Sequence, residues 1–157
     1  MALEFDTAGF TLKYCLETTA GTRPTSGYTE INDIVSLSAI GLQQNTADVT
    51  PINETVAHRY IETLPDTGGS YTITANFTSS FISNWDSLRS SAQTGWAGGK
   101  ALWFEIVFPA DSGMTDSFYF SGMPGEVGVP EISVGNAFQG EVTVVIREVV
   151  GYDTAST

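Results

Sequence analysis

The sequence predicts a mainly β protein of antiparallel strands, with a single α-helix packed on its sheets. Apolar and polar residues alternate in several well-separated segments, which is the pattern of half-buried strands. One segment has the spacing of a helix face instead. With 157 residues, 41% of them hydrophobic, the chain is long enough for one packed domain. It contains no internal repeat and no linker, so we expect a single domain.

Strand periodicity is present in four long segments and three short ones. The apolar side chains occupy even positions from residue 10 to 17, odd positions from 71 to 78, and even positions from 102 to 108 and from 138 to 146. One face of each long strand is therefore expected to be buried and the other hydrated. The predicted strands are residues 10–17, 31–37, 56–61, 71–78, 102–108, 117–121 and 138–148.

The helix is predicted at about residues 80–94. A serine at position 79 or 80 can accept hydrogen bonds from the first free N–H groups, and Gly95 is expected to end the helix. Apolar residues recur at spacings of four, three, four and four, a stripe formed by Phe81, Trp85, Leu88, Ala92 and Trp96.

Four stretches lack periodicity and are expected to lie outside the sheets. Residues 18–28 form a loop rich in Thr, Gly and Pro, and residues 38–53 form a long polar loop. Residues 1–9 are interpreted as an N-terminal arm and residues 151–157 as a C-terminal tail. Long loops without secondary structure are usually functional or mobile, and we expect contacts with other molecules at the loop 38–53, the N-terminal arm and the C-terminal tail.

The charge balance excludes a nucleic-acid groove. The chain has 18 acidic and 6 basic side chains, a net charge of -12, whereas phosphate backbones are bound by clustered Lys and Arg. The N-terminal residues lack the pattern of a secretory signal, and no apolar run reaches the length of a membrane span. We therefore expect a protein made and kept in the cytoplasm, without a membrane partner.

Few residues could act in catalysis or bind a metal ion. One cysteine, Cys15, excludes an internal disulfide framework, and one histidine, His58, has no catalytic motif around it. Asp66, Asp111 and Asp116 lie in predicted turns, and their spacing does not resemble a calcium loop. We expect no enzyme, no metal site and no cofactor.

The order of features resembles the major tail tube proteins of long, flexible-tailed bacteriophages. The resemblance covers nearly the whole chain and is most specific in DVTPIN at residues 48–53, followed by HRYIETLPDTGG at 58–69. An alternating strand, one helix, a strand hairpin, Met-Pro-Gly at 123–125 and a long final strand come next. One departure is Thr-Leu-Pro at 63–65, where many members have a glycine.

The resemblance implies an antiparallel β-sandwich or half-barrel with one flanking helix. It further implies that six copies form a ring, that stacked rings form the hollow tail tube, and that DNA passes through without specific binding. The implied partners are other copies of the chain and the tape measure, terminator and distal tail proteins. The protein would be assembled in the host cytoplasm and would belong to the virion tail; whether that tail contracts stays open.

A tube needs a polar inner wall and contacts between rings. Sheets closed across subunits have no free edges, and an acidic wall would repel DNA during passage. The predicted lumen-facing residues are Thr72, Thr74, Asn76, Gln139, Glu141 and Thr143. The predicted inter-ring contacts, in the long polar loop, are Gln43, Gln44, Asn45, Asp48 and Thr50.

Two other functions stay open. A tail terminator or completion protein would make one ring and stop. A carbohydrate-binding β-sandwich would use Trp85, Trp96 and Trp103 as stacking platforms. The polar strand faces would equally suit the hydrated outside of such a monomer.

Overall fold

A computed structural model of the chain describes residues 8–66 and 68–157 and confirms the mainly β class. Residues 1–7 of the predicted N-terminal arm lie outside the described residues. One helix, α1, spans Ser79–Ala97, and a short 3₁₀ helix spans Ala110–Ser112. The strands are β1 Thr11–Leu16, β2 Thr29–Ile31, β3 Ile34–Leu37, β4 Thr46–Asp48, β5 Tyr60–Glu62, β6 Ser70–Asn76, β7 Leu102–Val107, β8 Asp116–Pro124 and β9 Gln139–Thr154.

Seven of the strands form one antiparallel sheet in the order β2-β1-β7-β8-β9-β6-β3, and β4 pairs with β5 separately. β2 and β3 lie at opposite edges of the large sheet, yet only Asn32 and Asp33 separate them along the chain. Three peptide steps span at most about 11 Å, so the sheet must curl until its edges approach each other. This curled sheet, which does not close into a barrel within the described residues, corresponds to the half-barrel with a flanking helix.

The helix packs on the concave side of the curled sheet. Four of its predicted stripe residues are buried there, and the Trp85 indole N–H donates to the Gly125 carbonyl oxygen at 2.8 Å. Gly95 also lies against the sheet, because a Cβ at this position would come within 2.6 Å of Leu16 Cδ1. Trp96 does not belong to the buried stripe: it is 52% exposed, and the Arg147 guanidinium lies 3.9 Å above its ring.

The helix boundaries differ from the prediction by one turn or less. Thr78, and not Ser79 or Ser80, is the N-cap, and its hydroxyl oxygen accepts from the Phe81 N–H at 3.1 Å. The helix continues past Gly95 to Ala97, where Gly98 ends it. The helix approaches β1 closely at position 95, and glycine, which has no side chain, leaves room for this approach.

The convex face of β7 and β8 is also covered, which makes β7 buried on both faces. Glu105 and Trp103 lie under the loop of residues 18–28 and under the last residues of the chain. The predicted tail therefore needs correction: residues 151–154 continue β9, and Ser156 donates from its N–H and its hydroxyl to the Glu105 carboxylate, the latter at 2.6 Å.

Four further predictions differ in detail. The strand predicted at 31–37 is two strands, because the turn at Asp33 (φ 66°) carries the chain from one sheet edge to the other. The loop predicted at 38–53 contains β4, and the strand predicted at 56–61 begins only at Tyr60. Phe138, predicted to face inward, precedes β9 and is about half exposed; its ring lies nearly perpendicular to that of Phe77.

Candidate interaction surfaces

The six predicted lumen residues form one continuous patch on β6 and β9, which we call the polar face. They are directly opposite one another as three cross-strand pairs, a spacing at which β-carbons lie about 5 Å apart. The residues between them on both strands point to the other side and are buried in the core. The pairs are Thr72 with Thr143, Thr74 with Glu141, and Asn76 with Gln139.

Most of the polar face is open to solvent. Asn76, Gln139, Glu141 and Thr143 are exposed, and the two threonines of β6 are partly buried. Unlike the convex face of β7 and β8, this part of the sheet is not covered by a loop within the described residues. The polar face carries one formal charge, the Glu141 carboxylate, so its chemistry is mainly that of hydroxyl and amide groups.

Residues 42–66 form a hairpin that we call the arm. Gln43 and Asp66 exchange backbone hydrogen bonds of 2.9 and 2.7 Å at its base, and Thr63 donates to the Asn45 carbonyl at 2.8 Å. The β4–β5 ladder continues the pairing from Thr46 to Asp48, and Val49 donates to the Arg59 carbonyl at 2.9 Å. The tip is thus the segment from 50 to 58.

The five predicted inter-ring residues all lie on the arm, and four of their side chains bond within it. Gln44 and Asn45 donate from their amide groups to the carbonyl oxygens of residues 63 and 64, at 2.9 and 3.3 Å. Thr50 donates its N–H to Asp48 at 2.9 Å, and its own hydroxyl oxygen accepts from the Arg59 N–H at 2.8 Å. The bonds from Thr50 hold the pKa of Asp48 below its ordinary value. These polar groups stabilise the arm itself.

The side chains that the arm leaves without cover are apolar, and the sequence reasoning missed them. Ile52 is fully exposed, Val56 is 90% exposed and Leu64 is 86% exposed. A two-stranded hairpin is marginally stable alone in water, and contiguous exposed apolar surface marks interaction sites. The signal in the sequence was the presence of large apolar residues inside a segment otherwise polar. The exposed apolar residues of the arm are Leu42, Val49, Ile52, Val56, Tyr60, Ile61 and Leu64.

A second exposed apolar segment lies between β8 and β9. Val129, Ile132 and Val134 are 76% exposed or more, and no strand includes them. Glu126 and Glu131 lie beside them in the sequence. This segment and the arm are the two places where the described chain presents several large apolar residues close in sequence.

The residues considered for catalysis or ligand binding do not come together. His58 lies on the exposed arm, 3.3 Å from Asp48, and partial burial raises the pKa of the Cys15 thiol. Within residues 8–66 and 68–157 there is no cluster of three His, Cys, Asp or Glu side chains that could hold a metal ion. Trp85 and Trp103 are buried, so the three tryptophans form no stacking platform.

No helix in the described part of the chain combines the length and the apolar character needed to cross a membrane.

Comparison with known proteins gives a match in structure. No family model matches the chain, and no curated protein matches it in sequence. The cryo-EM structure of the anti-feeding prophage baseplate, 6-fold symmetrised, contains a chain that matches with a TM-score of 0.64 at 8% identity, over 95% of both chains. Our protein has the fold of a prophage baseplate chain. At this identity the likeness establishes the fold over nearly the whole length.

Proposed function

We propose that the protein is a structural component of a phage-type tail, whose copies form hexameric rings that stack into a hollow tail tube. The observation that carries the proposal is the arm, which exposes seven large apolar side chains and contributes none to the core. Exposed apolar surface of this kind marks a place that another molecule covers. The shared fold with a chain of a 6-fold symmetrised baseplate supports a ring of six copies.

The polar face supplies the inner wall of the proposed tube. Its hydroxyl and amide groups suit a water-filled bore, and each copy of the chain brings a net charge of -12. Because DNA is a dense polyanion, a wall without basic residues lets it pass without holding it. In the virion tail, the tube would contact the tape measure, terminator and distal tail proteins.

A second candidate function is a ring component at the end of a tail. The baseplate origin of the matching chain favours it, since such a component forms a ring without stacking into a tube. Negative-stain electron microscopy of the concentrated protein distinguishes the two. Hollow tubes of uniform width support the tube, isolated rings support the tail-end component, and monomers at all concentrations would contradict both.

The arm can be removed to test its role. Its base is closed by two short backbone hydrogen bonds between Gln43 and Asp66, so a short Gly-Ser linker can replace residues 43–66. Removing only residues 39–48 would leave β5 without its partner strand. We expect the linker variant to keep the circular dichroism spectrum of the body and to lose polymerisation. Tubes formed by this variant would contradict the proposed role of the arm.

A further inference from the structure

The loop of residues 125–138, which we call the β8–β9 loop, is fixed to the body of the protein. The Gly125 N–H donates to the Thr143 carbonyl oxygen at 2.7 Å, and the Gly125 carbonyl oxygen accepts from an indole N–H of the helix. Further along the loop, Pro130 lies so close to β9 that a Cβ on Gly140 would come within 3.1 Å of the Pro130 Cβ. The backbone on either side of Pro130 is therefore held in place.

Two large aliphatic side chains near Pro130 are exposed to solvent. Val129 is 79% exposed and Ile132 is 76% exposed, although the loop that carries them is fixed to β9. An exposed apolar pair on a fixed backbone loses little conformational entropy when another molecule covers it. Such a pair is therefore well suited to be a binding surface.

The β8–β9 loop and the arm lie at opposite ends of β6. The arm ends at Asp66, and β6 starts four residues later at Ser70. Pro130 lies beside Gly140, which pairs with Ala75 near the other end of β6. Five residue steps of strand separate the two ends, or about 17 Å. Each copy thus presents two exposed apolar surfaces at different places.

The arm and the β8–β9 loop do not cover each other within one molecule. Ile52 and Val56 at the arm tip, like Val129 and Ile132 in the loop, are at least 76% exposed. A contact between the tip and the loop therefore joins two copies of the chain. Because the two surfaces differ, such a contact is head-to-tail and can repeat from copy to copy without closing.

We propose that the arm tip of one copy covers Val129 and Ile132 in the β8–β9 loop of a copy in the next ring. Ile52 and Val56 supply the apolar side chains of the tip. The inference rests on the proposed self-assembly and deepens it, because it assigns the surface that receives the arm. Contacts of this kind join successive rings along the tube and do not close a ring.

The amount of exposed apolar surface fits a contact that is repeated around a ring. One fully buried aliphatic side chain removes about 60–120 Å² of apolar surface from water, so the arm and the two loop side chains offer roughly 400–800 Å². A specific interface buries about 1,200–2,000 Å² in total, rather more than half of it apolar. One contact is small by this measure, but the contacts around two stacked rings act together.

Cross-linking of introduced cysteines tests the contact directly. In a Cys15→Ser background, Ile52→Cys places a thiol at the arm tip and Ile132→Cys places one in the β8–β9 loop. We expect a short bifunctional thiol reagent to link a mixture of the two variants into a covalent dimer. The double variant should give a ladder of multimers, because each copy then carries both thiols.

The control for position is Met114→Cys in the same background. Met114 is 41% exposed and lies two residues before β8, at the end of the strand opposite to the β8–β9 loop. A mixture of Ile52→Cys with Met114→Cys should remain largely without cross-links, and so should each single variant alone.

The outcomes separate this inference from the proposed function. Tubes or rings that form without a cross-link between positions 52 and 132 would overturn the docking and leave self-assembly standing. Dimers formed by Ile132→Cys alone would mean that two loops face each other, which also overturns the docking. A chain that remains monomeric at all concentrations would overturn both.

Val129→Asp tests the same contact without a cross-linker. Because Val129 is exposed, the monomer should keep its melting temperature. We expect the critical concentration for assembly to rise at least about tenfold, since a carboxylate would lose its hydration in an apolar contact. Met114→Asp is the matched control, because it adds the same charge away from the loop. An unchanged critical concentration for Val129→Asp would overturn the docking.

Discussion

Gly122 lies in β8 beside its partner strand β9, and there is no space for a side chain at this position. A Cβ there would come within 2.5 Å of both the Val145 carbonyl oxygen and a methyl group of Val144. The register of the β8–β9 pair shifts between Ser121 and Gly122, a place where strands often use glycine. Periodicity does not reveal such a position, because the restriction comes from a neighbour more than 20 residues later in the chain.

Gly122→Ala is expected to destabilise the protein by about 1–3 kcal/mol, because backbone atoms of β9 would have to move. Urea unfolding followed by tryptophan fluorescence measures the change. Gly128→Ala is the control, since no atom lies within 4 Å of a Cβ at that position. Equal stabilities for the two variants would contradict the close approach.

Glu17 is a second residue whose role depends on distant partners. It is buried, and its carboxylate accepts from the Trp103 indole N–H and the Gly21 N–H, both at 2.8 Å. Burial alone would raise the pKa of this carboxyl, but these hydrogen bonds outweigh burial and hold the pKa below its ordinary value. From the sequence, Glu17 was only the last residue of the strand predicted at 10–17.

Glu17→Gln is expected to cost about 1–3 kcal/mol at pH 7, because it weakens charge-assisted hydrogen bonds in a buried site. A lowered pKa contributes stability above the ordinary Glu value of about 4.3, and this contribution is lost as the pH falls through the folded-state pKa. The difference from the native protein should therefore shrink between pH 5 and about pH 3 in urea unfolding. The exposed Glu30→Gln serves as control, and a difference independent of pH would refute the interpretation.

At the scale of elements, local pattern predicted the type of most segments and misplaced several of their ends. The helix was predicted from its apolar stripe, with Ser79 or Ser80 as its cap. The cap is Thr78 because its backbone is still extended as it leaves β6, and its hydroxyl also donates to Asp33 at 2.9 Å. The arm was missed because β4 and β5 are three residues long each, too short to show a period.

Thr78→Ala is expected to lower the free energy of unfolding by about 1 kcal/mol, since a free N–H of the first helical turn loses its acceptor. Ser79→Ala, one residue later on the exposed side of the helix, should change it by a few tenths at most. Thermal unfolding of both variants measures the difference. A larger loss for Ser79→Ala would show that the cap lies one residue further along.

At the scale of the whole molecule, the polar face makes a prediction about the assembled tube. In the double variant Thr72→Lys/Thr143→Lys, two lysines lie opposite each other on β6 and β9 in every copy. Tubes of this variant are expected to retain short duplex DNA at low salt and to release it steeply as salt rises, whereas native tubes should retain none.

Co-sedimentation of tubes with labelled duplex measures this retention. A Val134→Lys variant adds a basic residue outside the polar face and should behave as the native protein does. Native tubes that hold DNA, or a double-lysine variant that does not, would contradict the assignment of the polar face to the bore. This outcome would leave the proposed role of the arm unaffected.

The amino-acid sequence by itself determined which side of each long strand is buried, where the helix lies, and which polar residues lie together on one face of each strand. These are local properties, because side-chain direction alternates along a strand and repeats every 3.6 residues along a helix. Tertiary structure decided how the sheet curls, which loop covers β7, that residues 42–66 form the arm, and that β6 pairs with β9 so that their polar residues form one face. Those features depend on pairing between distant segments, and residue periodicity carries no information about which segment becomes the partner of another.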